Sequence, residues 1–193
     1  HGWRDHNSFG CSRSGSSDEN VKNARLFLRG FFWGLFSMWT VSEILKWTTA
    51  RFKERDIPSA RLDAELLLAD AIGGTRVSVY TSFERPLAES EREKMREYVR
   101  RRSEGEPISY ILGNREFFGR EFLVNDNVLI PRSDTECLIE LMLNEVNPKQ
   151  NNPAILDLGT GSGCISITLA LEYVQSEVLA VDVCEKALDV AIK

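Results

Sequence analysis

Histidine is almost missing from this sequence: among 193 residues only His1 and His6 carry an imidazole, both within the first six positions. The body of the chain therefore has no side chain that titrates near neutrality of its own accord, and a histidine-based hydrolytic triad is excluded there. Cysteine is sparse as well. Cys11, Cys137, Cys164 and Cys184 stand far apart with no C-x-x-C pair, so neither a zinc site nor a disulfide framework is indicated, and no metal is expected. A reducing, cytoplasmic setting is the expectation from that usage. Long hydrophobic runs are missing too. The most apolar stretch, residues 26–39, is fourteen residues long and broken by Arg29, which is too short to cross a bilayer. No small-residue cleavage site follows it, so a signal peptide is not indicated, and an N-terminal membrane anchor is the competing interpretation.

Positive charge is in deficit. Net charge is −5, but residues 1–37 hold five basic and three acidic groups against nineteen and twenty-six in the remainder, which leaves the body at −7. Such a body gains nothing from the general attraction to phosphate backbones, and direct nucleic-acid binding is not expected. Residues 1–20 are rich in Ser, Gly and Asn without periodicity. We expect residues 1–37 to be a disordered or non-native leader, with the biological start at Met38.

The stretch that carries chemistry is Ile155 to Gly163, Ile-Leu-Asp-Leu-Gly-Thr-Gly-Ser-Gly. It is expected to form a strand, a glycine loop and the start of a helix over Cys164 to Leu171. Gly159, Gly161 and Gly163 permit positive φ and would let a ligand lie against backbone N–H groups at a helix start. A P-loop needs Lys then Ser or Thr after its last glycine, and Cys164-Ile165 stands there instead. A dinucleotide loop places its third glycine one residue later, which weakens the nicotinamide alternative. A second β-like run, Glu177 to Val181, ends in Asp182, where such folds put a carboxylate for ribose hydroxyls. Two acids, Asp157 and Asp182, around a glycine loop suit a ligand without pyrophosphate; S-adenosylmethionine fits, with its ribose at Asp182 and its cationic methionine end near Asp157. A tight structural turn, with Asp182 merely starting the helix at Glu185, is the plain alternative.

Along the chain, Thr40 with Glu43 makes a capping box for a first helix bearing Val41, Ile44, Leu45, Thr48 and Phe52 on one face. Ser59 is expected to cap a second, with Leu62, Leu66, Ala69 and Ile72 inward, ended by Gly73-Gly74. A short helix or turn comes next over Thr75 to Ser82. Ser90 and Glu93 predict another box and a charged helix with Met95, Tyr98 and Val99 inward. Its Arg100, Arg101 and Arg102 are surrounded by glutamates and are expected to form a salt-bridged surface instead of a phosphate patch. After Pro107 the texture predicts β structure: Ser109 to Leu112, then a hairpin of Glu116 to Phe118 and Glu121 to Val124 about Gly119-Arg120. Val128 to Ile130 is expected to run extended into Pro131. Ser133 and Glu136 predict a third box, opening a helix to about Val146.

These segments, in this order, resemble the HemK-type release factor glutamine methyltransferases. The residues that carry the resemblance are Ala60 to Leu68, Pro107 to Gly113, Arg115 to Gly119, Val128 to Arg132 and Leu156 to Gly163, continuing to Asp182. The resemblance implies an α/β chain with an N-terminal helical bundle that binds substrate (38–106), a β-hairpin linker (107–132) and the start of a Rossmann-like class I methyltransferase domain (133–193). It implies S-adenosylmethionine contacts at Gly159, Thr160, Gly161, Ser162, Gly163 and Asp182. It also implies a peptide chain release factor as partner, whose glutamine amide receives the methyl group. Where the family usually reads Pro-Arg-Pro-Glu-Thr-Glu, this chain has Pro131-Arg132-Ser133-Asp134-Thr135-Glu136. The family's Asn-Pro-Pro-Tyr motif, which holds the substrate amide, is absent from these residues, so the chain is expected to be an inactive fragment and no catalytic residue is named. The alternatives are a methyltransferase acting on a ribosomal-protein glutamine or a nucleic-acid amine, and a noncatalytic interaction module.

Overall fold

Thr40 starts the first helix through its side chain. Its hydroxyl accepts the Glu43 N–H at 3.3 Å, and its own N–H donates to Glu43 Oε2 at 2.9 Å, the reciprocal box expected from the sequence. The structure, a computed structural model, describes residues 39–148 and 152–193. The leader over 1–37 and the start at Met38 lie outside the described residues. Thr40–Lys193 form a unit of their own.

Among the described residues the chain is α/β. A helical part comprises α1 (Val41–Lys53), α2 (Ala60–Ala71), α3 (Arg76–Thr81), α4 (Glu89–Ser103) and the short α5 (Ile108–Leu112). An antiparallel hairpin comes next, β1 (Asn114–Phe117) with β2 (Arg120–Leu123). A 3-10 turn over Ser133–Thr135 leads into α6 (Glu136–Glu145). Then come β3 (Ile155–Leu158), α7 (Cys164–Glu172), β4 (Val178–Val181) and α8 (Glu185–Ala191), with β3 and β4 paired in parallel around the α7 crossover.

The helical core is filled by Val41, Ile44, Leu45 and Phe52 of α1, Ala64, Leu67 and Leu68 of α2, Val79 of α3, and Met95 and Val99 of α4. The expected inward stripe of α2 is corrected in part. Ala69 is buried as expected, but Leu62 is 42% exposed and Leu66 and Ile72 are half-buried, and the apolar stripe is completed by Ala60, Ala64, Leu67, Leu68 and Ala71. Much of that stripe is alanine, which periodicity of large residues alone does not reveal. A short helix also replaces the expected strand at Ser109 to Leu112. Pro107 sits just before it with its carbonyl accepting from Tyr110 and Ile111, and Gly113, at φ 81°, ends it in the left-handed conformation.

Two predicted capping boxes are displaced. The first position before α4 is Ala88, whose N–H donates to Glu91 Oε2 at 2.8 Å, and Arg85 holds that carboxylate in place. Ser90 therefore falls inside the helix. At α6, Ser133 makes no side-chain cap, because Glu136 turns away to accept the Phe118 N–H at 3.0 Å. The hairpin turn is likewise shifted by one residue, to Phe118-Gly119, both with positive φ (51° and 69°) as a type I′ turn requires. An aromatic residue in that conformation is unfavourable by itself. Phe118 is held by the Glu136 bond, by the Arg120 guanidinium 5.9 Å from its ring centroid, and by the core beneath.

That core ties the hairpin to α6 and α7. Phe117 and Phe122 pack with Ile139 of α6, Leu169 of α7 and Tyr173, and Arg120 pairs with Glu172 at 2.6 Å. A smaller cluster of Val124, Val128, Ala187 and Val190 seats α8. The outer face of the parallel pair is different. Leu156 stands beside Leu179 and Leu158 beside Val181, and they are 59%, 59%, 73% and 38% exposed.

Candidate functional site

The glycine loop leaves the end of β3 and returns into α7, and its three glycines all have positive φ: Gly159 at 81°, Gly161 at 58° and Gly163 at 77°. They serve two purposes. A Cβ at Gly159 or Gly161 would meet nothing within 4 Å, so these two keep a surface open for close approach. A Cβ at Gly163 would lie 2.8 Å from Ile167 Cδ1 and 3.2 Å from Ala191 Cβ, so this glycine lets α7 and α8 pack.

The backbone donors of the loop are largely turned inward, contrary to the expectation that they face a ligand. Gly159 and Thr160 both donate to the Val181 carbonyl, at 2.8 and 3.0 Å, and Gly163 donates to the Thr160 carbonyl at 2.9 Å. Gly161 donates to Asp182 Oδ2 at 2.9 Å. The Thr160 and Ser166 hydroxyls bond each other at 2.7 Å, and Ser166 also donates to the Gly163 carbonyl. A loop with its N–H groups spent in this way is not a phosphate nest.

Two carboxylates border the loop. Asp182 Oδ1 accepts the Cys184 N–H at 2.9 Å and Oδ2 accepts that of Gly161. These two bonds, Cys184 first, hold its carboxyl below the usual range, so it is ionised at neutral pH. Each oxygen retains acceptor capacity for a ligand hydroxyl. On the other side, Asp157 Oδ2 and the Ser162 hydroxyl are buried without a partner. Both atoms keep hydrogen-bonding capacity that a ligand could use. The open surface over Gly159 and Gly161 and the two acids fit a cationic ligand bearing hydroxyls, and they disfavour a polyphosphate.

The thiol of Cys164, at the start of α7, is pushed up by burial and stays protonated, so it offers no thiolate nucleophile. Among the described residues no three His, Cys, Asp or Glu side chains group as a metal site, and no helix is long and apolar enough to cross a membrane. The arginine run of α4 is spent on carboxylates. Arg100 bonds Glu97 and Glu104, Arg101 bonds Glu106, and Arg102 reaches the buried Asp63 of α2 at 2.7 Å. The structure thus brings Asp157, Gly159 to Gly163 and Asp182 together around one loop. What the sequence did not reveal is that Asp182 braces the loop itself. Its position after β4 gives no sign of where the Gly161 N–H points.

Residues 43–113 match the family described as the PrmC N-terminal domain. The chain is 45% identical over 158 residues to the release factor glutamine methyltransferase of Chlorobaculum tepidum, covering 80% of this chain and 54% of that protein. Against the protein of the same name from Rhodopirellula baltica it is 42% identical over 156 residues, covering 79% and 53%. With that of Koribacter versatilis it shares 48% over 136 residues, covering 70% and 48%. The chain spans about half the length of the curated relatives it matches. By sequence, then, residues 43–113 align with the PrmC N-terminal domain, and four fifths of the chain aligns with proteins named release factor glutamine methyltransferases.

Proposed function

We propose that the protein takes part in methylating a glutamine side-chain amide of a peptide chain release factor, with S-adenosylmethionine as methyl donor. The observation that carries this reading is the 45% identity to a protein of that name over 158 residues, four fifths of this chain, beside a glycine loop bordered by two acids. In this reading the helical residues 38–106 engage the protein substrate and the hairpin of 107–132 is the linker. Residues 133–193 begin a Rossmann-like methyltransferase domain. When bound, the cofactor supplies an electrophilic methyl on a sulfonium.

The chain's own residues hold and orient it. Asp182 accepts ribose hydroxyls on the acceptor capacity its two backbone bonds leave. Asp157 meets the cationic methionine end, and the Ser162 hydroxyl gains the partner it lacks. Gly159, Thr160, Gly161 and Gly163 form the floor. Because the loop N–H groups are already bonded, little order has to be gained on binding, and recognition rests on shape and on the two acids. Catalysis of amide methylation is chiefly alignment of a weak nucleophile with the methyl carbon. No described residue is assigned to that alignment. The nucleic-acid alternative is disfavoured because the arginines of α4 are all paired with carboxylates.

Titration calorimetry with S-adenosylmethionine tests the cofactor site. Gly161→Val places a branched side chain in the space above the loop, and Asp182→Ala removes the hydroxyl acceptor and the loop brace. Each is expected to weaken binding at least tenfold, on the order of 1.4 kcal/mol or more. Unchanged affinity in both variants rejects the assignment. Incorporation of labelled methyl into a purified release factor, absent when its glutamine is replaced, tests the substrate.

A further inference from the structure

The helical part carries a second polar cluster that the methyl-transfer site does not use. Glu65 of α2 is buried, its side chain 3% exposed, and its oxygens are divided among three neighbours. Arg61 Nε (2.6 Å) and the Tyr80 hydroxyl (2.5 Å) donate to Oε1, and Arg76 donates through Nη2 (2.6 Å) and Nε (3.2 Å) to Oε2. Burial pushes this carboxyl up, but the bonds from Tyr80, Arg61 and Arg76 outweigh it and hold the group at about 2. One fixed negative charge thus anchors two positive ones.

Both arginine side chains remain about half exposed, at 54% and 52%. Tyr80 is 44% exposed; its hydroxyl accepts from Arg61 Nη2, and its ring lies 6.0 Å from that guanidinium carbon. Among the described residues, Nη1 of Arg61 and of Arg76 meets no partner, so each keeps donors to spare. Val77 is 69% exposed, one residue after Arg76 and three before Tyr80 on α3. The patch has a local charge of +1 on a body that is otherwise acidic. Arginine and tyrosine are also the residues that concentrate binding energy at protein interfaces. A guanidinium already fixed on Glu65 loses little freedom when it takes a second carboxylate, the usual cost of a surface ion pair.

We propose that Arg61, Arg76, Val77 and Tyr80 form a docking surface for an acidic, carboxylate-bearing segment of the protein substrate. This rests on the release-factor reading given above and locates where on the helical part that partner is held. A nucleic acid offers negative charge too, but it is engaged along a stripe of cations, and this patch is a single small one.

Charge sign at one position that leaves the Glu65 clamp untouched provides the test. Binding of this protein to a purified bacterial release factor is measured by calorimetry at low and high salt for the parent chain, Val77→Glu and Val77→Lys. We expect at least tenfold weaker binding for Val77→Glu, undiminished binding for Val77→Lys, and a gap between them that narrows with salt. Equal affinities for the two variants overturn the docking surface while the release-factor reading stands. A parent chain that binds no release factor overturns both. A short RNA that displaces the release factor from the parent and fails to bind Val77→Glu assigns the surface to nucleic acid and overturns the proposal.

Discussion

The helical part and the β3-α7-β4 unit reach stability by opposite routes. In the former, apolar side chains of four helices meet one another, and the remaining charges are drawn together as well: Asp63 with Arg102, Glu65 with Arg61 and Arg76, Asp70 with Lys94 and Tyr98. In the latter, α7 covers one face of a two-stranded parallel sheet while Leu156, Leu158, Leu179 and Val181 on the other meet solvent. Parallel sheets are normally covered on both faces, and here no residue of β3 or β4 is fully buried. The bundle therefore holds its shape through its own contacts, whereas the glycine loop is held by a few directed bonds, those of Val181 and Asp182 foremost.

The contrast is tested most severely from the bundle side. Arg102→Ala leaves Asp63, 3% exposed in its side chain, buried without its cation. The expected loss is about 4 kcal/mol, seen as a lower denaturant midpoint by the fluorescence of Trp47 in α1. Unchanged stability would show that Asp63 is satisfied by other means.

A change of about 3 kcal/mol is expected from Gly163→Val, which forces a side chain against Ile167 and Ala191 at a left-handed φ. It should fall on one region alone. Amide exchange at Val178–Val181 should quicken while the Trp47 transition stays put. If both regions lose stability together, the contrast between them is not real.

The smallest effect concerns pH. Glu65 is depressed from the ordinary glutamate value of 4.5 to about 2, so its contribution is complete above 4.5 and is lost as pH falls toward 2. Because Arg61 and Arg76 are half exposed, a loss of about 1 kcal/mol is expected over that window. Glu65→Gln should flatten the acid limb of the bundle's pH–stability profile. A profile that keeps its slope in the variant would assign the acid sensitivity to other carboxylates.

Much of this architecture was legible in the sequence where a signal is local. The Thr40-Glu43 box, the strand Ile155–Leu158, the helix from Cys164 and the positive φ of the three glycines all follow from neighbouring residues. Misplacements arose where a distant partner decides. Glu136 is drawn off by the Phe118 N–H, eighteen residues earlier, and Glu91 is pinned by Arg85, which moves the cap of α4 from Ser90 to Ala88. Ser109 to Leu112 carries β-compatible residues, yet five residues between Pro107 and Gly113 close more readily as one turn of helix. At the site the residues could be listed from the sequence, but not the direction of their donors. The Glu65 cluster was missed because only its Arg61 lies within a helical turn in sequence; Arg76 and Tyr80 arrive from α3.

The hairpin has a practical consequence for anyone who would sever the molecule. Phe117 and Phe122 meet edge to face, with ring centroids 6.1 Å apart, and both are buried among residues of α6 and α7. A proteolytic cut near residue 132 would therefore strip two aromatic plugs from the part it was meant to release. One in the turn around Gly113, just upstream of β1, would leave them in place. Limited digestion should accordingly yield a durable C-terminal piece that begins before Asn114, and a piece beginning after Arg132 should be degraded as soon as it forms.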